Sequence, residues 1–349
     1  MSISHGNSLS PDPADQANRP TDAFAGTSPV LSAGAAARAN LVGRLILWSA
    51  SVFLVSFALA TLVIIIWLVF TPSWVWFAHL FRAVLWTVFG SGLALFGSLF
   101  ILHRFLVPTR DFAYSSLRGA RIHVGLTAWN DEEAIAQSVR EFKRCPDVHK
   151  VIVVDNNSKD NTRQAAIDAG ADLVVTEMVP GYGSCCMRTL KESAEGADVI
   201  VLCEGDMTFA AEDVKKFIAY LENCDLVLGT RATQELRATD TQMDWLINPA
   251  NQIWAKLVQL RFWGTRLTDM GCTYRAIRAD AYRQIAGALS VQGNHFSPHM
   301  FIEALKRRMR VIEIPVVFRS RVGESKGVGS NKIKAAKVAL NMLKLIFRA

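Results

Sequence analysis

Glu204-Gly205-Asp206 places two carboxylates two residues apart at the end of the apolar run Val199 to Leu202. Residues two apart in an extended segment point the same way, so both acids can converge on one divalent cation, and the glycine lets a diphosphate approach the backbone. Hard Mg2+ or Mn2+ bridging a diphosphate calls for oxygen donors of this kind. Asp155 directly follows Val151 to Val154 and can accept hydrogen bonds from a ribose or a base, whereas Asn156 to Asn161 read as an Asx turn. Thr127-Ala128-Trp129-Asn130-Asp131-Glu132-Glu133 closes an earlier apolar run. There Asn130 suits a helix cap, the acids suit a first helical turn, and Trp129 could flank a flat base. Gly229-Thr230-Arg231 offers a guanidinium to phosphate. Asp269 to Arg275 combines an acid, a flexible glycine and a cation, and Arg319 to Lys326 forms a basic loop after Val311 to Phe318, which reads as a strand.

The elements that must position these residues read as a doubly wound α/β body. Runs at Ile122 to Leu126, Val151 to Val154, Leu173 to Val175, Val199 to Leu202 and Leu226 to Leu228 are expected strands. Helical periods fall at about 131–143, 161–169, 185–195, 211–222, 247–260 and 278–286. Such alternation gives a mostly parallel sheet with helices on both faces, and ligands bind at the carboxyl edge of its strands. Apart from Val153 and Asp269, the candidate residues follow expected strand ends.

Ahead of this body, Leu45 to Phe70 and Ala83 to Leu102 carry no Asp, Glu, Lys, Arg or His. The first stretch is about 39 Å long as a helix, enough to cross a hydrocarbon core of about 30 Å. Trp48, Trp67, Trp74 and Trp76 suit interfacial anchors, and Gly90, Ala94 and Ser98 mark a small-residue face on which the two helices could pack. The loop from Thr71 to Phe81 is free of formal charge while Arg38 and Arg44 precede the hairpin and Arg104 and Arg110 follow it, which puts both termini in the cytoplasm. The first 44 residues read as a disordered tail with no signal peptide.

The net charge of +7 divides into 0 over residues 1–44, +3 over 45–110, −6 over 111–305 and +10 over 306–349. An acidic body with a basic end excludes a uniformly basic nucleic-acid binder. The end repeats Lys334, Lys337, Asn341, Lys344 and Arg348 along one stripe of a helix otherwise filled by Ile333, Leu340, Met342, Ile346 and Phe347. It reads as an amphipathic helix lying on an anionic membrane surface, the alternative being a helix docked on the body or on a second subunit. The six cysteines, Cys185 and Cys186 among them, are expected as free thiols. His295 and His299 are four apart, but Pro298 between them argues against a regular helix and against a zinc pair.

The order of these motifs resembles family 2 glycosyltransferases of the GT-A fold, in particular the dolichol-phosphate mannose synthase and bacterial polyprenyl-phosphate glycosyltransferase group. The likeness covers about residues 120–345: Thr127 to Glu132 stands for P-x-Y-N-E, Val153 to Thr162 for V-V-D-D-G-S-x-D-G-T, Glu204 to Asp206 for D-A-D, Gly229 to Arg231 for G-[ST]-R, Asp269 to Arg275 for D-x-x-x-G-F-R and Gly323 to Lys326 for the acceptor-side G-E-S-K. The resemblance implies that Thr127, Trp129, Asp131, Val153 and Asp155 hold the nucleoside, Glu204 and Asp206 the metal and diphosphate, and Arg231, Arg321 and Lys326 the phosphates. Asp269 sits beside the reacting centre, so Asp269 and Asp206 are the implied catalytic acids. The chain departs from the pattern at Thr127, Trp129, Asn156 and Glu204, at Thr208 where the group often has Gln, and at His299 where it commonly has Glu.

The implied reaction is inverting, metal-assisted transfer of a sugar from a nucleotide diphosphate sugar to a polyprenyl phosphate at the cytoplasmic face of an inner or plasma membrane. An ionised lipid phosphate needs no strong protein base but does need cations to align it. Two alternatives stand beside this reading: a family 2 enzyme acting on a saccharide or lipid hydroxyl in cell-envelope polysaccharide or glycolipid synthesis, and a non-catalytic nucleotide-sugar binding module. The expected domains are a tail at 1–44, a transmembrane hairpin at 45–107 with spans 45–70 and 83–102, a GT-A domain at 120–330 and an interfacial helix at 331–349. Oligomeric state stays open, a homo-oligomer included.

Overall fold

A computed structural model describes residues 33–70, 75–106, 114–239, 241, 247–262, 265–323 and 332–349. Two long helices come first, α1 (Ala33–Phe70) and α2 (Val75–Leu106). Then follow β1 (Ile122–Ala128), α3 (Glu132–Lys143), β2 (Val148–Asp155), α4 (Thr162–Asp168), β3 (Leu173–Thr176), α5 (Tyr182–Ser193), β4 (Val199–Glu204), α6 (Val214–Leu221) and β5 (Leu226–Thr230). The chain continues through α7 (Ile247–Phe262), β6 (Arg275–Arg278), α8 (Ala279–Ile285), α9 (Phe296–Lys306), β7 (Val311–Pro315) and α10 (Lys332–Arg348).

The strands form one sheet in the order β3-β2-β1-β4-β6-β5-β7. β6 runs antiparallel to both neighbours, and the remaining pairings are parallel. Every strand except β6 therefore ends at one edge, and β6 begins there. Alternation along β4 sends Ile200 and Leu202 into one core with α5, α7, α8 and α9, and Val199, Val201 and Cys203 into another with α3 and α6. The sheet is thus covered on both faces, as its nearly continuous apolar strands require.

β6 and α9 were not foreseen. β6 is a four-residue strand with Arg at both ends, too short for a period to show. α9 contains Pro298 in its first turn, where a proline lacks no hydrogen bond the helix would have made, so the reading of Pro298 as a breaker is corrected. β7 stops at Pro315 rather than at Phe318. Cys185 and Cys186 are buried in α5 and all six thiols are free.

α1 begins at Ala33, inside the stretch expected to be a tail, and its early turns dock on the body. Ile46, Leu47 and Ala50 are buried, and Leu47 joins the core that holds Ala255 and Val258 of α7. A Cβ on Gly43 would stand 2.1 Å from the Arg261 carbonyl oxygen, so only glycine permits this approach. Beyond the body, Asn40–Ile66 and Ala78–Phe100 are long and apolar enough to cross a membrane. Most of their side chains are uncovered by protein, Trp86 being 71% exposed, which is unlike the core helices of a soluble domain. The helices touch through Gly92, where a Cβ would lie 3.1 Å from Phe53. Gly90 and Ala94 instead face outward, so the expected small-residue face is displaced.

α10 also departs from expectation. Met342 and Ile346 are buried in the core beside α7, and Phe347 meets Trp48 of α1 edge-on at 4.9 Å between centroids. Met342 and Ile346 on its apolar side are covered by protein, while Lys337, Leu340, Lys344 and Arg348 stay exposed. Gly43→Leu should force α1 off α7 and lower the stability of the detergent-solubilised protein by about 1–3 kcal/mol. A melting temperature equal to that of the parent would refute the docking.

Candidate active site at the carboxyl edge of the sheet

The loops after β1 and β2 are tied together by short polar bonds. Ser158 Oγ accepts from the Asn130 amide at 2.8 Å, Asn130 Oδ1 accepts from the Lys159 amide at 2.8 Å, and Thr162 Oγ1 accepts from the Asp131 amide at 2.7 Å. Asn130 takes a left-handed conformation at φ 51°, and the helix cap position falls on Asp131 instead. Asp131 Oδ2 accepts from the Trp129 amide at 2.9 Å, which leaves the indole at the lip of the edge, 47% exposed.

Asp155 is buried and turned into its own loop, accepting from the Ser158 amide at 3.2 Å and from the Ser158 hydroxyl. Val153 lies wholly in the core below it, so its side chain does not reach the edge. The expected Asx turn occurs at Asp160, which accepts from the Thr162 amide at 3.1 Å. Asn156 does something else: its Nδ2 donates to the Glu177 and Val179 carbonyls at 3.0 and 2.9 Å, and its Oδ1 accepts from the Gly181 amide at 3.1 Å. A carboxylate has no hydrogen for those two carbonyls, which explains Asn at this position.

The end of β4 is set by backbone pairing with the segment after β7. The Arg319 amide donates to the Thr208 carbonyl at 2.7 Å and the Val322 amide to the Asp206 carbonyl at 3.3 Å, so Arg321 is held over the two acids. Its guanidinium contacts Asp206 Oδ2 and lies 3.4 Å from Glu204 Oε2. Asp206 is 1% exposed and its other oxygen accepts from the Thr208 amide at 3.0 Å and hydroxyl at 2.5 Å. The Thr208 side chain thus serves Asp206. Glu204 accepts from the Thr273 hydroxyl at 2.7 Å, and that hydroxyl accepts from Tyr182 at 2.8 Å. Gly205 has a packing reason as well, since a Cβ there would meet Ile135 at 2.5 Å.

Burial, and after it the Asp206 charge, pushes the Glu204 carboxyl up. Burial also acts upward on Asp206, but Arg321 and the Thr208 bonds outweigh it and hold that acid below its usual range. Asp131 adds to the field that keeps Arg321 charged. Two carboxylates aimed at one cation are a fitting donor set for Mg2+ or Mn2+, which takes one or two carboxylates and completes its shell with phosphate oxygens and water. No group of three or more His, Cys, Asp or Glu is gathered for a metal among the described residues.

Beside this cluster, Arg231 and Asp269 form a bidentate pair, Nε to Oδ2 at 2.7 Å and Nη2 to Oδ1 at 2.9 Å. The Gly271 amide donates to Asp269 at 2.9 Å and Asn251 Nδ2 lies 3.4 Å away. Burial would raise the Asp269 pKa, but the Arg231 charge and these bonds hold it below the usual carboxylate range. So committed a carboxylate is a poor proton acceptor and a good anchor for a guanidinium. Glu313 of β7, unnoticed in the sequence, fixes the loop by accepting from the Thr268 amide at 2.8 Å and the Asp269 amide at 3.0 Å. A lone acid in the run Val-Ile-Glu-Ile-Pro was its only signal.

Two motif residues turn inward. Arg275 is buried with its donors on the Thr273, Ser297 and Cys272 carbonyls. His299 is buried with Nε2 3.1 Å from the Ala288 carbonyl, a packing role that removes it from acceptor contact. Lys326 lies outside the described residues.

A family model described as glycosyl transferase family 2 matches residues 124–286. The chain is 26% identical over 218 residues to the undecaprenyl-phosphate mannosyltransferase of Micrococcus luteus, covering 60% of this chain and 88% of that one. It is 26% identical over 204 residues to a dolichyl-phosphate hexose transferase of Haloferax volcanii, covering 58% and 85%. Glucosyl-3-phosphoglycerate synthase of Mycobacterium tuberculosis, solved with Mn2+, UDP and phosphoglyceric acid, shares the fold at a TM-score of 0.52 and 18% identity over 66% of this chain and 80% of that one.

Asn156→Asp removes both donated bonds and should cost about 1–3 kcal/mol of stability. Faster hydrogen exchange at the Gly181 amide would check it; unchanged exchange and melting would show that the latch is idle.

Proposed function

The chain belongs to glycosyl transferase family 2 and has its GT-A fold, and on that premise we propose that it moves a sugar, with inversion, from a nucleoside diphosphate sugar to a polyprenyl phosphate. The observation that carries the reading is the convergence of Glu204 and Asp206 on one cation at the strand edge, next to a guanidinium already anchored by Asp269. The Micrococcus undecaprenyl-phosphate mannosyltransferase and the Haloferax dolichyl-phosphate hexose transferase support a lipid-phosphate acceptor.

In this reading Trp129 flanks the base, with Thr127, Asp131 and Asp155 shaping the loops that receive the nucleoside. Val153 supports them from beneath. Glu204 and Asp206 hold Mg2+ or Mn2+, which when bound offsets the charge of the leaving diphosphate. Arg231, Arg321 and Lys326 orient phosphates. An acceptor phosphate oxygen forms the new bond to the anomeric carbon as the bond from that carbon to the diphosphate breaks, and the nucleoside diphosphate departs with the electron pair. No proton need leave an ionised phosphate, which agrees with an Asp269 occupied in holding Arg231 rather than free as a base.

The two apolar helices support membrane association. With charge-free residues between them and arginines outside, the body belongs on the cytoplasmic side. The exposed Lys337, Lys344 and Arg348 of α10 add attraction to an anionic leaflet without its apolar face entering the membrane.

The test offers purified protein a panel of labelled nucleotide sugars with short polyprenyl phosphates and Mg2+ or Mn2+, followed by lipid extraction. Label should reach the lipid, chelation should abolish transfer, and Asp206→Ala should lower turnover by about a hundredfold or more. Label reaching only a saccharide or lipid hydroxyl would overturn the acceptor, and full turnover in Asp206→Ala the metal site. Asp269→Asn should lower kcat by freeing Arg231 while leaving the pH profile unchanged; a lost acidic limb would instead make Asp269 a base.

A further inference from the structure

Arg261, the penultimate residue of α7, is 1% exposed, yet none of its three guanidinium nitrogens has a hydrogen-bond partner among the described residues. The charges that act on it are both positive, Arg44 of α1 and Arg308 just past α9. Burial, and after it those two neighbours, lowers its pKa to about 10. The nearest acid on α9, Glu303, is already engaged by Lys306 at 2.9 Å and Arg307 at 2.7 Å. The ring of Phe262 lies under the guanidinium, 4.7 Å from its carbon. A buried charge without a partner is among the costlier features a fold can carry, and like charges around it increase that cost.

The place matters as much as the charge. Arg261 abuts Gly43, and the apolar stretch of α1 begins at Asn40, so the three arginines gather where α1 passes from the body into its uncovered apolar length. An anion reaching this point meets one dry guanidinium with two more cations around it. Planar guanidinium donors match the oxygens of phosphate, the common anion at a membrane surface.

We propose that Arg261, Arg44 and Arg308 form a phosphate-binding site at the root of α1, filled by the headgroup phosphate of an anionic membrane lipid. The site is separate from the strand edge, and it couples the seating of α1 on α7 to the composition of the surrounding leaflet.

The test measures the melting temperature of the full-length protein in nanodiscs of phosphatidylcholine and of phosphatidylcholine with increasing phosphatidylglycerol, and in detergent with inorganic phosphate. The parent should be stabilised by phosphatidylglycerol. Arg261→Met, which removes the charge and keeps the bulk, should equal or exceed the parent in phosphatidylcholine and require about tenfold or more phosphatidylglycerol for the same shift. Arg44→Gln, at an exposed position, gives a second reading that does not depend on core packing and should weaken the lipid response in the same direction. Stabilisation by inorganic phosphate that is lost in Arg261→Met would support the site and make a free anion its occupant. Equal lipid responses in the parent and both variants, or an Arg261→Met that is equally weakened in every lipid, would overturn the proposal.

Discussion

Two carboxylates side by side at a poorly solvated edge need a shared proton or a positive charge between them, and much of this molecule's edge is built around supplying the charge at Glu204 and Asp206. The chain supplies its own cation, Arg321, and fixes it from both sides through the Arg319 and Val322 amides, which pair with the backbone at Thr208 and Asp206. The arrangement joins the end of β4 to the segment after β7, although the two strands are separated in the sheet by β6 and β5. The antiparallel β6 is what allows this, since it begins at the edge where the other strands end. The loop that carries Asp269 thereby opens directly onto the acids.

The same edge shows a division of labour among ion pairs. Arg231 is held by a carboxylate that has no other task, with bidentate geometry and a neighbouring amide, so its position is settled before any ligand arrives. Arg321 is held by the carboxylates that would also serve a metal, so its position depends on what else occupies the site. One guanidinium is fixed and the other can be exchanged. In the proposed reaction a diphosphate entering between them would meet a rigid wall on one side and an adjustable one on the other.

Much of the sheet was legible because apolar runs buried on both faces leave an unmistakable mark, and the strand-end motifs followed from their places in it. What escaped notice had no such mark. β6 is four residues long between two arginines, α9 hides a proline in its first turn, and Glu313 works through its neighbours' amides rather than through any motif. Asn156 looked like a lost acid, but its value lies in donating two hydrogens, which only the fold of the β3–α5 loop makes apparent. The readings of Gly90 and α10 failed for a common reason. A helical wheel gives the faces of a helix, but the neighbours decide which face is covered, and here Gly92 and the α7 surface decided it.

The docking of α1 also bears on the order in which the molecule can be made. Ile46, Leu47 and Ala50 emerge from the ribosome early, whereas their partners in α7 and α10 are translated late, α10 after every strand of the sheet. Until then this face of α1 has nothing to pack on, and the body has no lid for the corresponding part of its core. Contacts so far apart in sequence carry a large loop-closure cost and slow folding. The seating of α1 therefore waits on residues translated more than two hundred positions after it.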